Sequence, residues 1–234
     1  MKRSKRYRDL KGKVEARLYS LDEAIDKVKS LANAKYDESV DIAIHLNIDL
    51  KKQDQQVRGI SNMPHGTGRQ KKILVLTKGE KEKEAKDTGA DYVGFEEYIE
   101  KIKGGWLDFD VMIATPDSMS EVGKLGKILG PKGLMPSPKS GTVTFEIGNQ
   151  VKALKKGKIE FKTDKGGCIH SPVGRISFTA EQLRSNIHTF MEDLLASKPA
   201  SIKGQFVRSI TLSSTVGPGV KIDEKELLKG KGGE

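Results

Sequence analysis

The 234-residue sequence has a single cysteine, Cys168, so no disulfide can close within the chain and no zinc cage can be built from cysteines. A lone thiol fits a reducing compartment, the cytoplasm. Aromatic residues are scarce at 6%, with one tryptophan, which leaves a modest core drawn from the 35% of hydrophobic residues. No apolar run approaches the ~20 residues of a spanning helix, and none follows the basic start MKRSKRYRDLKGK to make a secretory signal. Catalytic signatures are missing too. There is no GxSxG, HExxH, CxxC or complete Walker A, and Gly66-Thr67-Gly68 lacks the third glycine of a dinucleotide fingerprint. His45, His65, His170 and His188 fall in different segments without metal-ligand spacing, so neither a metal nor a cofactor is expected. Only a βαβ rhythm in mid-chain suggests an enzyme, and fold analogy does not establish activity.

Positive charge is abundant. Lys and Arg number 42 against 32 Asp and Glu, a net +10 that favours a polyanionic partner, nucleic acid before membrane. Residues 1–17 are the densest part, with Lys2, Arg3, Lys5, Arg6, Arg8, Lys11, Lys13 and Arg17 set against Asp9 and Glu15. Such a block repels itself and is expected to stay flexible until it meets opposite charge.

Ser20 and Glu23 form a capping box opening a helix over 21–32, with Leu21, Ala24, Ile25, Val28 and Leu31 on one stripe. Val40, Ile42, Ile44, Leu46, Ile48 and Leu50 then alternate with polar or small residues, a strand with one wet face. The pattern dissolves over 53–72 into an expected linker. It resumes as strand 72–77, helix 80–88, strand 91–95, helix 96–103 and strand 109–115, an order that implies a parallel sheet. A strand over 142–147 and a helix over 149–156 follow. From Lys158 the antiparallel style returns in KIEFKTD, GGCIHSPV and GRISF. Thr179 and Gln182 cap a helix bearing Leu183, Ile187, Phe190, Met191, Leu194 and Leu195, before a strand over 205–214, the turn TVGPG and a polar GKGGE tail.

This order predicts an α/β chain of two domains. The outer one, 1–66 with 157–234, is a discontinuous α+β domain of split β-α-β type. The insert, 67–156, is a Rossmann-like three-layer α/β domain. Gly59, Gly66, Gly68 and Gly157 mark the two crossings as a hinge.

Two places could hold a polyanion. In the outer domain, Lys35, Tyr36 and Ser39 precede the alternating strand. Lys158, Lys162, Lys165 and His170 decorate the second antiparallel region, and Ser209, Thr211, Ser213, Thr215, Val216 and Gly217 belong to the last strand and its turn. Lysines neutralise phosphates, hydroxyls bond phosphates and ribose, and glycine lets backbone approach. On the residues alone, β propensity and a solvent face explain the hydroxyls of the last strand somewhat better. In the insert, residues 123–142 pack five glycines, three prolines and four lysines into an expected shaped loop. Its Gly130, Lys132 and Gly133 amides, with Lys124, Lys127, Lys132 and Lys139 nearby, suggest an anion concavity, although a structural crossover with solvated lysines fits as well.

That stretch, GKLGKILGPKGLMPSPKSGTV, closely resembles the signature of the first protein of the large ribosomal subunit, the L-one family, and the likeness continues along almost the whole chain. The resemblance implies a non-enzymatic protein of the cytoplasmic ribosome that binds large-subunit rRNA. It also implies a mobile stalk near the exit site, help in releasing deacylated exit-site tRNA, and repression of translation through own-operon mRNA. Other ribosomal components are further implied partners, no membrane is involved, and the protein is a monomer off the ribosome. Residue by residue, the family pattern falls on Lys35, Tyr36, Ser39, Lys162, Ser209, Thr215 and Gly217, and loosely on Glu23. Val216 stands where the family's STMGP turn has methionine, and Tyr36 where phenylalanine is common. Two rivals remain: a phosphate-handling α/β enzyme using Gly130–Gly133, and a nonspecific nucleic-acid compactor depending on the basic start.

Overall fold

The computed structural model describes residues 4–49, 52–77, 81–202 and 204–228, without the side chains of Gln53, Lys139, Glu226 and Leu228. Lys2, Arg3, Leu50, Glu80, the GKGGE tail and the Lys139 side chain therefore lie outside the described residues. The chain divides into two units, 1–68 with 159–234 and 69–158, where composition puts the crossings at 66/67 and 156/157.

In chain order the first unit contributes α1 (Lys5–Gly12), α2 (Leu21–Leu31), β1 (Ser39–Leu46) and β2 (Arg58–Asn62). The second holds β3 (Ile73–Leu76), α3 (Lys81–Asp87), β4 (Tyr92–Gly94), α4 (Glu96–Lys103), β5 (Val111–Ala114), α5 (Met119–Lys124), α6 (Gly126–Leu129) and α7 (Ile147–Lys156). The chain then returns through β6 (Lys158–Lys162), β7 (Cys168–Arg175), α8 (Ala180–Ala196), β8 (Val207–Ser214), β9 (Val220–Ile222) and α9 (Glu224–Leu228).

The first unit is built on a four-stranded sheet of order β7-β1-β8-β9, with antiparallel neighbours. Both capping boxes form, at Ser20–Glu23 and Thr179–Gln182, and the helices they start lay their stripes on the sheet. Val40, Ile42, Ile44 and Leu46 of β1 meet Ile25, Val28, Leu183, Ile187 and Phe190 in one core. Burying such side chains stabilises by roughly 1.5–3 kcal/mol each, so the alternation in β1 fixes which face is covered. Leu195, assigned to the α8 stripe, is instead exposed, because it lies about 100° round the helix from Leu194, the last buried residue of the stripe.

In the second unit β3 lies between β4 and β5, all parallel. Its continuous apolar run serves two cores at once: Leu74 and Leu76 pack with α4, α5 and α6 residues, while Ile73 and Val75 pack with Ala85, Val151 and Leu154 of α3 and α7. Helices thus cover both sheet faces, as a period-two strand with no polar alternate requires.

Several local expectations give way to the structure. Within the basic start Lys5–Gly12 is helical, with the Ser4 hydroxyl accepting from the Tyr7 amide and Leu10 buried. β1 ends at Leu46, where its register against β8 shifts and Asn47 turns to donate to Phe206 O. The expected linker contains β2, which pairs with β6 rather than joining the main sheet. The expected strand 142–147 shrinks to one bridge, Ala114 to Val143, because Ile147 is drawn into the core as the first residue of α7. GGCIHSPV and the start of GRISF merge into β7, with a bulge opposite Val40/Asp41. The glycine-rich stretch is no continuous loop, since α5, α6 and a 3-10 turn at Pro138–Ser140 run through it and bury Leu125 and Leu129. β9 and α9 carry no advance signal, being a three-residue strand and a five-residue helix.

Candidate nucleic-acid interface

Helices cover one face of the four-stranded sheet, and the other face is built from the alternate residues. Ser39, Asp41, Ala43 and His45 of β1 point outward. Register sets Ser213, Thr211 and Ser209 of β8 beside Asp41, Ala43 and His45, and sets Pro172, His170 and Cys168 of β7 on their other side. Lys221 of β9 lies opposite Thr211. The face therefore brings together Ser39, His170, Ser209 and Thr211, with no large apolar side chain among them. Burial between the strands pushes the Asp41 carboxyl up, and His170 opposes that shift.

At one end of the face the chain after β8 is tied to the chain before β1. The Thr215 amide donates to Ser39 O at 3.1 Å, and the Ser39 amide donates to Thr215 Oγ1 at 3.0 Å. Beneath the turn lies Glu38, 1% exposed, accepting from the Ala34 amide at 3.1 Å and the Val216 amide at 3.2 Å. Arg6 of α1 donates to Val216 O at 3.2 Å. Burial alone would push the Glu38 carboxyl up, but the Ser214 hydroxyl, the two amides and the Arg6 charge outweigh it and hold it below the ordinary glutamate range. The Glu38 bond to Ala34 also closes the loop carrying Lys35 and Tyr36, both exposed. Lys35, Tyr36, Ser39, Thr215, Val216 and Gly217 are thereby gathered at one end of the sheet. At Gly217 a Cβ would lie 2.5 Å from Ser214 Oγ, so the turn has no space for a side chain there.

The remaining candidates separate. Lys165 sits in the turn before β7, exposed, and Lys162 is exposed on β6, outside the main sheet. Lys158 belongs to the second unit, where Nζ donates to Gln150 Oε1 at 3.0 Å and burial pulls its pKa down, so it is not a free phosphate ligand. Glu23 closes its capping box and pairs with Arg17 at 3.0 Å. In the second unit Lys124 pairs with Glu121 at 2.8 Å, while Lys127 and Lys132 are exposed. The anion concavity loses two of its three donors, because the Gly130 amide donates to Gly126 O and the Gly133 amide to Gly130 O. The anion cradle of the phosphate-enzyme reading keeps only the Lys132 amide.

The glycines at the crossings differ among themselves. Gly59 lies against the Phe161 ring, where a Cβ would come within 2.4 Å of Cζ. Gly66 and Gly68 are left-handed, and each is held within the first unit: Asn186 Nδ2 donates to Gly66 O at 2.8 Å and Arg175 Nε to Gly68 O at 3.0 Å. Gly157 is the left-handed cap that ends α7.

Sequence reasoning missed Glu38 and Arg6. Glu38 stands where a strand of one wet face begins and looks like a solvated acid; its role under the turn comes from Val216, 178 positions away. Arg6 was hidden within a charge block.

An open face of hydroxyls and imidazole, ending in a buttressed glycine turn with exposed lysine and tyrosine beside it, on a chain of net charge +10, defines a two-unit α/β protein suited to a polyanion. Residues 28–218 match the family described as ribosomal protein L1p/L10e, and the chain belongs to that family. It is accordingly a large-subunit ribosomal protein of the cytoplasm that binds rRNA, in a family of structural RNA-binding proteins. The matched span includes every residue of the face and turn named above except Lys221, and it excludes α1 with Arg6.

Proposed function

We propose that the open face and the 214–218 turn of the first unit grip a folded junction of large-subunit rRNA. The observation that carries this reading is the turn itself: buried Glu38 holds it from below, Gly217 leaves its backbone bare, and the Thr215 hydroxyl is fixed in direction. Thr215 Oγ1 donates to Ser39 O at 3.4 Å and accepts from the Ser39 amide at 3.0 Å, which leaves this exposed hydroxyl one further lone pair for a donor. A ribose 2′-OH is a donor that such an acceptor suits, and a deoxyribose has none. Lys35, Lys162 and Lys165 supply phosphate contacts, Tyr36 offers a ring at 57% exposure, and Val216 offers a shorter apolar contact than the family's methionine. Shape rather than linear sequence is read, because side chains cannot enter the narrow major groove of A-form RNA.

On this reading the bound protein forms the mobile stalk beside the exit site, where the second unit touches tRNA through Lys127 and Lys132 and assists its release. With Gly59, Gly66 and Gly68 engaged inside the first unit, pivoting is assigned to the chain just beyond Gly68 and just after Gly157. The same rRNA surface takes an rRNA-like element in the protein's own operon mRNA and represses its translation, the protein being monomeric when free.

Filter binding with an rRNA junction transcript tests the site. Thr215→Val is expected to weaken binding about tenfold or more and Thr215→Ser to restore it, since each lost hydrogen bond to a polar RNA group costs about 1–3 kcal/mol. Equal affinity for all three proteins contradicts the assignment. For the stalk role, ribosomes with and without the protein are compared for exit-site tRNA release, and equal rates contradict it.

A further inference from the structure

Cys168, His170 and Asp164 are drawn together by two simple features of the chain. Cys168 and His170 are two apart on β7, so they share the outward face, opposite His45 and Ala43. Ahead of them the chain doubles back. The Asp164 amide donates to Cys168 O at 2.8 Å, the Gly167 amide donates to Asp164 O at 3.2 Å, and Gly167 takes a φ of 75°. The turn therefore sets the Asp164 side chain beside the first residues of the strand.

Within this trio the carboxylate is already oriented. Asp164 Oδ1 accepts from the Gly166 amide at 2.7 Å and the Cys168 amide at 2.8 Å, which leaves Oδ2 facing His170 Nε2 at 3.5 Å. One ligand atom from each of the three residues lies within 4.8 Å of the other two, the one such group among the described residues. A carboxylate oxygen, a sulfur and an imidazole nitrogen form a mixed donor set. Calcium and magnesium prefer oxygen alone, whereas zinc accepts all three atom types and completes a tetrahedron with water. The paired amides on Oδ1 act as the outer partners that metal-binding carboxylates require.

We propose that Asp164, Cys168 and His170 form a zinc-binding site at the rim of the open face. Binding exchanges one bond for another in a balanced step: the S–H bond breaks, its proton passes to solvent, and the thiolate sulfur bonds to the cation, with no change of oxidation state. His170 ligates through Nε2 as a neutral ring with its proton on Nδ1. The three residues go from one net negative charge to two, which neutralise the dication, so the loaded site carries no net charge. The thiol's weak bond to Gly166 O, at 3.9 Å, is given up. The site stands on its own geometry and holds whether or not the face reads RNA.

Cobalt(II) is the probe, because thiolate coordination gives it a near-ultraviolet charge-transfer band and a tetrahedral field gives intense visible bands. Titration of the reduced full-length protein is expected to produce both, saturating at one equivalent, and added zinc is expected to bleach them. Cys168→Ser should abolish the charge-transfer band, and Asp164→Asn and His170→Ala should each weaken zinc by at least about tenfold, the scale seen when a ligand set is disturbed. Circular dichroism confirms that each variant is folded, and Cys168→Ser, the most conservative, keeps the test decisive. Absence of a charge-transfer band in the parent protein, or equal zinc affinity in the parent and all three variants, overturns the proposal.

Discussion

The Val216 amide donates to Glu38 Oε2 at 3.2 Å across 178 positions of chain. Through that bond an acid next to the first main-sheet strand sets the height of a turn after the third. Glu38→Ala would leave the Val216 and Ala34 amides without their acceptor in a nearly water-free place. A loss of about 1–3 kcal/mol in chemical denaturation is expected, along with weaker rRNA binding. Glu38→Gln keeps one acceptor oxygen and should lose less on both counts.

Acid should act through the same carboxylate. Its folded pKa lies below its unfolded one, so its stabilisation is complete above the ordinary glutamate value and disappears as pH falls through the lower, folded value. The stability gap between the parent protein and Glu38→Gln is therefore expected to be constant at neutral pH and to close in acid. Urea midpoints of the two proteins across a pH series check this; a gap that widens in acid contradicts it.

At Gly217 space is the constraint. A Cβ meets Ser214 Oγ at 2.5 Å, so Gly217→Val must push the turn outward or twist Ser214, which is itself buried. The turn is at the surface, so the expected result is a melting temperature within a few degrees of the parent and an rRNA affinity reduced by about tenfold or more. Calorimetry and filter binding on the same preparation separate the two effects.

Gly59 makes the converse case, one of core packing. Phe161, 1% exposed, stacks edge-on against Phe190 with centroids 5.3 Å apart, and its other side leaves room only for hydrogen at Gly59. Gly59→Ala is expected to destabilise by about 1–3 kcal/mol, as overpacking does, and to leave rRNA affinity at a fixed folded concentration unchanged. Denaturant titration reads the first and filter binding the second.

The sequence revealed most where one residue type served one purpose. The alternation from Val40 to Leu46, the two capping boxes and the doubly buried run of β3 each state their surroundings locally, and an element forms at each, although the alternation at Ile48 extends beyond the end of β1. Local reading failed where a distant partner decides. β2 shows no alternation because its place is set by β6, a hundred residues on; Val143 gains one bridge and no more because Ile147 is claimed by α7. At the interface, the hydroxyls of β8 and the bare Gly217 were legible as residue types. Glu38 and Arg6 were not, since their partner is the backbone of Val216, which no composition records. Lys158 misled for the same reason: a charge in a basic run gives no sign that Gln150 holds it.

The central claim, that a rigid surface of the first unit recognises one folded RNA, is tested most directly by equilibrium competition at physiological salt. Labelled stalk-region rRNA junction is bound to the full-length protein and displaced by unlabelled junction or by unrelated hairpins of equal length. The account predicts that hairpins compete at least about a hundredfold more weakly, because charge alone supplies only the salt-dependent, sequence-independent part of the affinity. Equal displacement by both RNAs would contradict it and leave electrostatic attraction as the whole of the binding.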